Sequence, residues 1–202
     1  MSKLWLVSLL SLSKLENIMI FVLTGNGKGK TTCAIGMGIR AVGAKKKVLM
    51  IQFLKTKDSS SENKIIKRIK NFDLKTFGKK GFFVSKEYLK KHPQIKKFGV
   101  RVARKEVTNL IKRGFEFAKK AAISKKYNLL ILDEACIVLN FGFIKKEEMI
   151  DFLKKYRKDL DIVLTGRGCP RKIIKISDLV TEMKEIKHYY KKGIKAREGI
   201  EY

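Results

Sequence analysis

The stretch Thr24-Gly25-Asn26-Gly27-Lys28-Gly29-Lys30-Thr31-Thr32 lies between a short apolar run, Met19 to Leu23, and a helical pattern. Its glycines let successive backbone amides point into one concavity, which the positive end of the following helix also faces. The Lys30 ammonium is spaced to reach terminal phosphates, and the Thr31 hydroxyl to bind Mg²⁺. The stretch therefore predicts a strand, a phosphate-binding loop and a helix. We expect a nucleoside triphosphate to contact Gly27, Lys28, Gly29, Lys30, Thr31 and Thr32.

One position departs from the strict phosphate-loop pattern, in which a glycine stands five residues before Gly29. That position is Thr24 here, so we expect the start of the loop to be built differently. A solvated loop of glycine and lysine is the alternative interpretation. The context of strand, loop and helix favours nucleotide binding.

Short apolar runs alternate with longer lysine-rich helical patterns along the 202 residues. This alternation is typical of parallel strands joined by crossover helices. It predicts one α/β domain over residues 19–202, an open, mostly parallel sheet flanked by helices, as in P-loop NTPases of the RecA-like type. The expected strands are 19–23, 47–52, 72–77, 128–132, 161–165 and 179–182. The expected helices are 30–43, 101–124, 145–157 and 170–176, and the expected long surface loops are 55–63 and 78–86.

Residues 1–18 form an N-terminal extension. Leu4 to Leu12 is apolar, but no small-residue cleavage signature follows, and the run is too short to span a bilayer. An amphipathic helix is the favoured interpretation. The alternative is that translation starts at Met19 and that the preceding residues have no function.

Lysine and arginine number 47 against 19 acidic residues, which gives a net charge of +28. Such a field attracts nucleotides, nucleic acid or an anionic surface. The lysines are spread along nearly every segment and are rarely interleaved with the aromatic residues that single-strand binders use. A solvated lysine-rich surface is therefore favoured, with no specific nucleic-acid partner and no membrane association.

The cysteines, Cys33, Cys136 and Cys169, are far apart in sequence and form no C-x-x-C pair. This pattern indicates neither a zinc site nor a disulfide framework, and it favours a reducing cytoplasm. His92 and His188 are too isolated to indicate a metal site.

A second apolar run, Leu129 to Leu132, ends in Asp133 and Glu134. In P-loop proteins a carboxylate at such a strand end holds Mg²⁺ opposite the loop threonine. The alternative is that both carboxylates only complement the dipole of a following helix. Paired with Thr31, either Asp133 or Glu134 is the predicted Mg²⁺ ligand.

Two more strand ends carry candidate residues. The turn Thr165 to Arg171 places Arg167 where its guanidinium could bind phosphate bidentately, and an exposed turn arginine is the alternative. Ligands of open parallel sheets bind at the carboxyl ends of the strands. Residues 78–86 are expected at that edge as well, which places Phe82 and Phe83 near the nucleotide.

These residues and their surroundings resemble, nearly end to end, the P-loop type of ATP:corrinoid adenosyltransferase, the cob(I)alamin adenosyltransferases of cobamide synthesis and salvage. The resemblance implies transfer of the 5′-deoxyadenosyl group of ATP to a reduced, Co(I) corrinoid, with triphosphate leaving, in adenosylcobalamin biosynthesis. The blocks that carry it are Thr24 to Thr32, Ile35 to Gly43, Val48 to Phe53, Leu130 to Glu134, Thr165 to Arg171, Val180 to Glu182, Lys187-His188 and the tail Gly193 to Tyr202.

The resemblance also implies roles for single residues. Lys30 and Thr31 would act in catalysis by neutralising the leaving triphosphate, together with Mg²⁺ that Thr31 shares with a carboxylate of the Asp133-Glu134 pair. No protein nucleophile is needed, because cobalt supplies it. For Arg40, the alternative to an ATP contact is a role as a surface salt-bridge partner. Besides the loop, the implied ATP contacts are Asn26, Arg40, Glu134 and Arg167.

The segment Gly81-Phe82-Phe83-Val84 is similar to the family's glycine-aromatic loop, where aromatic rings crowd the lower axial side of the corrinoid. Phe82 matches and is the implied catalytic aromatic residue, with Phe83 as a second corrinoid contact. Val84 stands where the bacterial pattern has a tryptophan, which implies weaker displacement of the lower ligand. The alternative is that both rings are ordinary core phenylalanines.

The resemblance further implies a homodimer and an electron-donating flavoprotein or ferredoxin. Two other functions compete with it. A basic P-loop ATPase acting on nucleic acid would show hydrolysis that DNA or RNA stimulates. A small-molecule kinase would release ADP and carry an arginine-rich lid, whereas lysine dominates the loops of this chain.

Overall fold

Six parallel strands form the main sheet of the computed structural model, which describes residues 18–200. The strands are β1 (Ile20–Thr24), β2 (Val48–Phe53), β3 (Phe72–Phe77), β6 (Leu129–Asp133), β7 (Asp161–Thr165) and β8 (Leu179–Glu182). A second sheet pairs β4 (Phe83–Val84) with β5 (Arg101–Val102). The order across the main sheet is β3-β2-β6-β7-β1-β8. The predicted open, mostly parallel α/β sheet is confirmed.

Helices cover both faces of this sheet. They are α1 (Lys30–Gly43), α2 (Glu62–Ile66), α3 (Lys86–Lys91), α4 (Lys105–Ile123), α5 (Ala135–Asn140), α6 (Lys146–Tyr156) and α7 (Arg171–Ile176), with 3-10 helices at Pro93–Phe98 and Tyr189–Lys192. Within residues 18–200, no helix has the length and apolar character needed to cross a bilayer. The expectations for residues 1–17 lie outside the described residues.

The central strands are buried on both faces, which is why they appear as unbroken apolar runs in the sequence. Every residue of β2 and β6 is buried. Successive side chains still point to opposite faces. Leu49 and Ile51 of β2 belong to the larger hydrophobic cluster, which α4 covers, whereas Val48 and Met50 belong to the smaller cluster under α1.

Helix α4 begins four residues later than predicted, so the expected helix over 101–124 is wrong at its start. Residues 101–103 instead pair with β4. The Arg101 amide donates a hydrogen bond to the Phe82 carbonyl (2.9 Å), and the Ala103 amide donates to the Val84 carbonyl (2.8 Å). Tertiary pairing overrides a local helical pattern there. The other predicted strands and helices differ from the observed ones by at most one residue at either end.

The two predicted surface loops contain regular structure and need correction. Residues 55–63 run into α2, and residues 78–86 contain β4 and the first residue of α3. The Ser85 side chain accepts a hydrogen bond from the Tyr88 amide at 3.0 Å and caps α3, a role that serine favours. Helices of five or six residues, such as α2, α3 and α5, are too short for periodicity to reveal.

The carboxyl ends of all six strands lie at one edge of the main sheet, because every pair is parallel. That edge receives the loop after β1, Lys55 after β2, Asp133 and Glu134 at the end of β6, and the Arg167 turn after β7. Open parallel sheets bind their ligands at this edge. The fold thus gathers candidates that are scattered over most of the sequence.

Candidate active site

The phosphate-binding loop connects β1 to α1, which begins at Lys30. Gly25 and Gly29 have φ angles of 97° and 101°, a region that favours glycine. The Lys30 side chain folds back into the loop. Its Nζ donates hydrogen bonds to the carbonyl oxygens of Gly25 (2.9 Å) and Gly27 (2.5 Å), so the ammonium lies inside the concavity that the loop forms.

Asp133 joins the phosphate-binding loop to the strand ends on either side. Its carboxylate is fully buried. Thr31 Oγ1 donates to Asp133 Oδ1 at 2.9 Å although the two residues are 102 positions apart. Thr165 Oγ1, at the end of β7, donates to the same oxygen at 2.7 Å. The loop threonine and the strand carboxylate that the sequence pairs are therefore in direct contact.

The second carboxylate oxygen of Asp133 faces two residues for which the sequence predicted no role at the site, Gln52 and Lys55. Lys55 Nζ lies 3.0 Å from Oδ2, and Gln52 Nε2 donates to it at 3.4 Å. The Lys55 ammonium also donates to Thr31 Oγ1 at 3.5 Å. These contacts compensate for the cost of burying the Asp133 charge.

Thr24, at the position of the missing glycine, connects the loop after β1 to the loop after β7 by hydrogen bonds. Its buried hydroxyl donates to the Gly166 carbonyl at 2.9 Å and accepts from the Cys169 amide at 3.2 Å. The loop after β1 is thereby fixed to the turn that carries Arg167. At this position a hydroxyl that joins two loops of the site therefore replaces the glycine of the strict pattern, and the next residue, Gly25, has a positive φ angle.

The chain after β8 packs directly on the phosphate-binding loop. The Gly27 amide donates to the Met183 carbonyl at 2.7 Å. A Cβ atom on Gly25 would lie 2.4 Å from Met183 O, and one on Gly27 would lie 2.8 Å from it. Both positions therefore require glycine. A cavity of about 350 Å³ lies between Gly27-Lys28 and residues 184–189.

Burial, together with nearby charges, shifts two pKa values at the site. Burial raises the pKa of the Glu134 carboxyl, and the Asp133 charge raises it further against the opposing effect of nearby cations. Burial lowers the pKa of the Lys30 ammonium, and the positive charge of Arg167 adds to that effect. Glu134 and Arg167 are therefore within electrostatic reach of Lys30. A polyphosphate would relieve the repulsion between the two cations.

Neighbouring elements hold Glu134 and Arg167 in place. Glu134 has a φ of 61°, an unusual conformation for a residue with a side chain that often marks functional positions. Its amide donates to Thr165 Oγ1 at 3.0 Å. Asn140, at the end of α5, donates from Nδ2 to the carbonyls of Arg167 (3.2 Å) and Gly168 (2.6 Å). The Arg167 side chain itself is exposed.

Four predicted ATP contacts do not join this cluster. Arg40 is exposed in the last turn of α1, about 15 Å along the helix from Lys30 at the usual rise per residue. Asn26, Lys28 and Thr32 are exposed on the loop and the first turn of α1. The roles of these four residues toward ATP, like those of the other predicted contacts, stay predictions.

The three residues after Gly81 differ in exposure. The Phe82 ring is 53% exposed and meets the Phe141 ring edge-on, with 5.8 Å between centroids. Phe83 is half-buried against the larger hydrophobic cluster, and Val84 is fully buried within it. Phe82 is thus the ring that is free to meet a ligand, and a corrinoid contact by either phenylalanine stays a prediction.

Similarity to known proteins points to one family. The sequence model of ATP:corrinoid adenosyltransferase BtuR/CobO/CobP matches residues 16–202. The corrinoid adenosyltransferase of Escherichia coli strain K12 is 29% identical over 93% of this chain and 87% of its own length. The corrinoid adenosyltransferase of a Sinorhizobium species is 32% identical over 93% and 81%, and CobA of Salmonella typhimurium strain LT2 is 30% identical over 93% and 87%.

The chain belongs to the ATP:corrinoid adenosyltransferase family. The resemblance found in the sequence is confirmed, and the protein is an enzyme that uses ATP and a corrinoid in cobalamin biosynthesis. The matches do not favour a nucleic-acid ATPase or a kinase. Mg²⁺, the homodimer, the electron donor and the cytoplasmic location stay predictions.

Several residues of the candidate site had weak signals or none in the sequence. Gln52 gave a weak signal, because it is a single polar residue in the apolar run of β2. Lys55 is one of 47 basic residues and has nothing nearby in sequence to distinguish it. Thr165 lies in the recognised block Thr165 to Arg171, but its hydrogen bond to Asp133 was not predicted. This bond and the bond of Asn140 to the Arg167 turn join distant parts of the chain, which no local pattern encodes.

Two of the cysteines that are distant in sequence meet beside the candidate site. Cys136, in the first turn of α5, interacts with Cys169 of the Arg167 turn, and this interaction together with burial raises the pKa of the Cys136 thiol well above its usual range. Both thiols are free and buried, whereas Cys33 is exposed. The sequence spacing gave no indication of this contact.

Proposed function

We propose that the protein transfers the 5′-deoxyadenosyl group of ATP to the Co(I) ion of a reduced corrinoid and releases triphosphate. One observation carries the proposal: Thr31, at the end of the phosphate-binding loop, donates a 2.9 Å hydrogen bond to the buried Asp133 carboxylate. This contact joins a loop suited to phosphates to a carboxylate suited to a metal ion, at the edge of the sheet where ligands bind. Family membership supports the type of reaction.

The reaction is an alkylation at carbon. The electron pair of Co(I) forms the bond to C5′ of the ribose, while the bond from C5′ to the α-phosphate oxygen breaks and its electron pair leaves with the triphosphate. Because cobalt is the nucleophile, the protein has to orient the ribose carbon and stabilise negative charge on the leaving group. The charged side chains of Lys30 and Arg167 and the N–H dipoles of the loop are suited to stabilising the charge on the leaving group.

The residues around Asp133 fit Mg²⁺. This ion prefers oxygen ligands and is usually bound through one or two carboxylates together with substrate phosphates. Thr31, Asp133 and Glu134 supply a hydroxyl and two carboxylates. Among residues 18–200, no group of three His, Cys, Asp or Glu side chains could hold a metal ion alone, so phosphate oxygens would complete the ligand set. Bound there, Mg²⁺ would act as a Lewis acid toward the departing triphosphate.

Phe82 is the proposed aromatic contact to the corrinoid. Its ring is exposed and makes an edge-on contact with Phe141. Phe83 can offer only part of its ring, and the fully buried Val84 offers none. Crowding of the lower axial side of the corrinoid would therefore depend mainly on Phe82.

The proposed protein partners are a second copy of the chain, in a homodimer, and a flavoprotein or ferredoxin that reduces the corrinoid in the cytoplasm. A net charge of +28 supports a donor with a negatively charged docking face, because complementary charge accelerates encounter. The only task of this donor in the proposed reaction is to deliver the electron that reduces the corrinoid to its Co(I) state.

An anaerobic assay with Mg-ATP and chemically reduced Co(I) cobalamin tests the proposal. We expect the wild-type protein to form light-sensitive adenosylcobalamin, and the change in the corrinoid spectrum measures its formation. Lys30→Ala should lower the rate by roughly 10²–10³-fold, the usual cost of removing one group that stabilises developing charge. Lys70→Ala is the matched control, since Lys70 is exposed near the opposite end of β3. Equal rates for the two variants would contradict the role of the loop.

A further inference from the structure

The ammonium group of Lys55 contacts two of the three side chains proposed as metal ligands, Asp133 and Thr31. Its Nζ is 3.0 Å from Asp133 Oδ2 and donates to Thr31 Oγ1 at 3.5 Å. The Lys55 side chain is 20% exposed and the Asp133 side chain is fully buried, so this ion pair is shielded from solvent. It differs in this respect from the exposed ion pairs of the described surface, such as Lys79–Glu106.

The backbone around Lys55 fixes this position. Leu54 has a φ of 60°, a left-handed conformation that is uncommon for a residue with a side chain. Its amide donates to the Phe77 carbonyl at 3.0 Å, and a Cβ on Gly78 would lie 2.3 Å from Lys55 N. The end of β2 is therefore pressed against the end of β3, and this contact turns Lys55 back toward Asp133.

Lys55 also has a clear electrostatic function at this place. A buried carboxylate without a counter-charge is strongly destabilising, and the other side chains that contact Asp133, namely Thr31, Thr165 and Gln52, are uncharged. The Lys55 ammonium supplies the positive charge. A divalent cation bound to Asp133 would supply it too, and the two cations would repel each other strongly at this distance.

We infer that Lys55 is a resident counter-ion that holds Thr31 and Asp133 in place before the nucleotide arrives and competes with divalent metal for them. This inference rests on the proposed function, since it assigns the metal to Thr31 and Asp133. Free metal then binds weakly, because it must displace Lys55 unaided. Metal that enters with ATP displaces Lys55 more easily, since the triphosphate adds further ligands and gives the ammonium a new anionic partner.

Binding of Mn²⁺ in the absence of nucleotide, measured by electron paramagnetic resonance of the free ion, tests the inference. Lys55→Met should bind Mn²⁺ about tenfold more tightly than the wild type, because the competing charge is gone. Lys57→Met is the matched control: it removes the same charge from an exposed position in the same loop and should stay within about twofold of the wild type. Tight binding must disappear in the double variant Lys55→Met/Asp133→Asn. Unchanged or weaker Mn²⁺ binding by Lys55→Met would overturn the inference.

One further variant and one further condition cover the case in which Lys55→Met does not fold. Lys55→Arg keeps the positive charge and should bind Mn²⁺ as weakly as the wild type; tight binding by this variant overturns the inference. If Lys55→Met is unfolded in buffer, Mn²⁺ should restore its far-ultraviolet circular dichroism at concentrations that leave the wild type unchanged. A failure of Mn²⁺ to restore it also overturns the inference.

Adenosyl transfer by the wild type separates this inference from the proposed function. If the wild type forms adenosylcobalamin and Lys55→Met shows no gain in Mn²⁺ affinity, only the role of Lys55 is wrong. If Lys55→Met gains affinity and the wild type forms no adenosylcobalamin, the counter-ion role stands and the proposed reaction is wrong.

Discussion

A single hydroxyl, that of Thr24, fixes two loops of the site to each other. Thr24→Val keeps the shape of the side chain but leaves the Gly166 carbonyl and the Cys169 amide without this partner. A buried polar group that loses its partner costs about 1–3 kcal/mol. We expect the free energy of unfolding, measured by urea titration, to fall by that amount.

Thr108→Val is the control for this residue. The Thr108 hydroxyl makes only a 3.4 Å contact with the Arg104 carbonyl at the surface of α4, so its loss should cost less than about 0.5 kcal/mol. Equal losses in the two variants would show that the Thr24 hydroxyl does not stabilise the fold.

Residues of the site were predictable where their role depends on close neighbours in the sequence. Lys30 and Thr31 follow from the glycine pattern before them, and Asp133 from its place at the end of an apolar run. Lys55 was not predictable, because its position depends on the contact of Leu54 with Gly78. That contact exists only once β2 and β3 lie side by side.

Two glycines of α1, two positions apart, test how this helix packs. A Cβ on Gly36 would meet nothing within 4 Å, whereas one on Gly38 would lie 2.5 Å from the buried Phe72 ring. Gly36→Ala should stabilise the protein by about 0.5–1 kcal/mol, since alanine favours the helix. Gly38→Ala gains the same preference but overpacks the core at a cost of about 1–3 kcal/mol, so it should destabilise. Urea unfolding curves that shift in the same direction for both would contradict the packing of α1 on β3.

The edge strand β3 is held to the chain before β6 by Asp73. The Tyr127 hydroxyl donates to Asp73 Oδ2 at 2.6 Å, and Lys126 Nζ donates to it at 3.2 Å. The hydrogen bond from Tyr127 is the main cause that lowers the pKa of Asp73, with Lys126 acting in the same direction and burial opposing it. The pKa in the folded state is therefore below the unfolded value of about 3.9.

A lowered carboxylate pKa fixes the sign of the pH dependence. The contribution of Asp73 to stability is present above about pH 4 and is lost as the pH falls through the folded pKa. The melting temperature of the wild type should therefore exceed that of Asp73→Asn by a constant amount near neutral pH, and the difference should shrink in acid. A difference that persists unchanged at pH values below the folded pKa would rule out this contribution.

Elements were predictable when they were long or strongly apolar. The 14-residue helix α1 and the strands of the main sheet follow from periodicity and from unbroken apolar runs. The start of α4 could not be predicted in this way. The hydrogen bonds of Arg101 and Ala103 to the Phe82–Val84 segment connect parts of the chain that no local pattern relates.

The net charge of +28 acts on the whole molecule. Repulsion among like charges destabilises a compact state, and salt screens it: the Debye length falls from about 30 Å at 0.01 M to about 8 Å at 0.15 M. We expect the melting temperature, measured by circular dichroism, to rise with NaCl over this range. A falling melting temperature would mean that exposed ion pairs such as Lys79–Glu106 outweigh the general repulsion.

The class of fold was predictable for the whole molecule, and the strand order was not. Alternating apolar runs and helical patterns indicate a parallel sheet, but the same runs are compatible with several orders. The observed order β3-β2-β6-β7-β1-β8 places β6 and β7 between β1 and β2. That arrangement is what brings Asp133 to Thr31.

The fate of doubly labelled ATP tests the central claim most directly. ATP carrying ¹⁴C at C5′ of the ribose and ³²P in the γ-phosphate is incubated anaerobically with the wild-type protein, Mg²⁺ and Co(I) cobalamin, and the products are separated. We predict that the ¹⁴C appears in the corrinoid and that the ³²P appears in triphosphate. The ratio should be about one to one, because each adenosyl transfer releases one triphosphate, the leaving group that the site is proposed to stabilise. Recovery of the ³²P as orthophosphate with ADP, and of no ¹⁴C in the corrinoid, would contradict adenosyl transfer at this site.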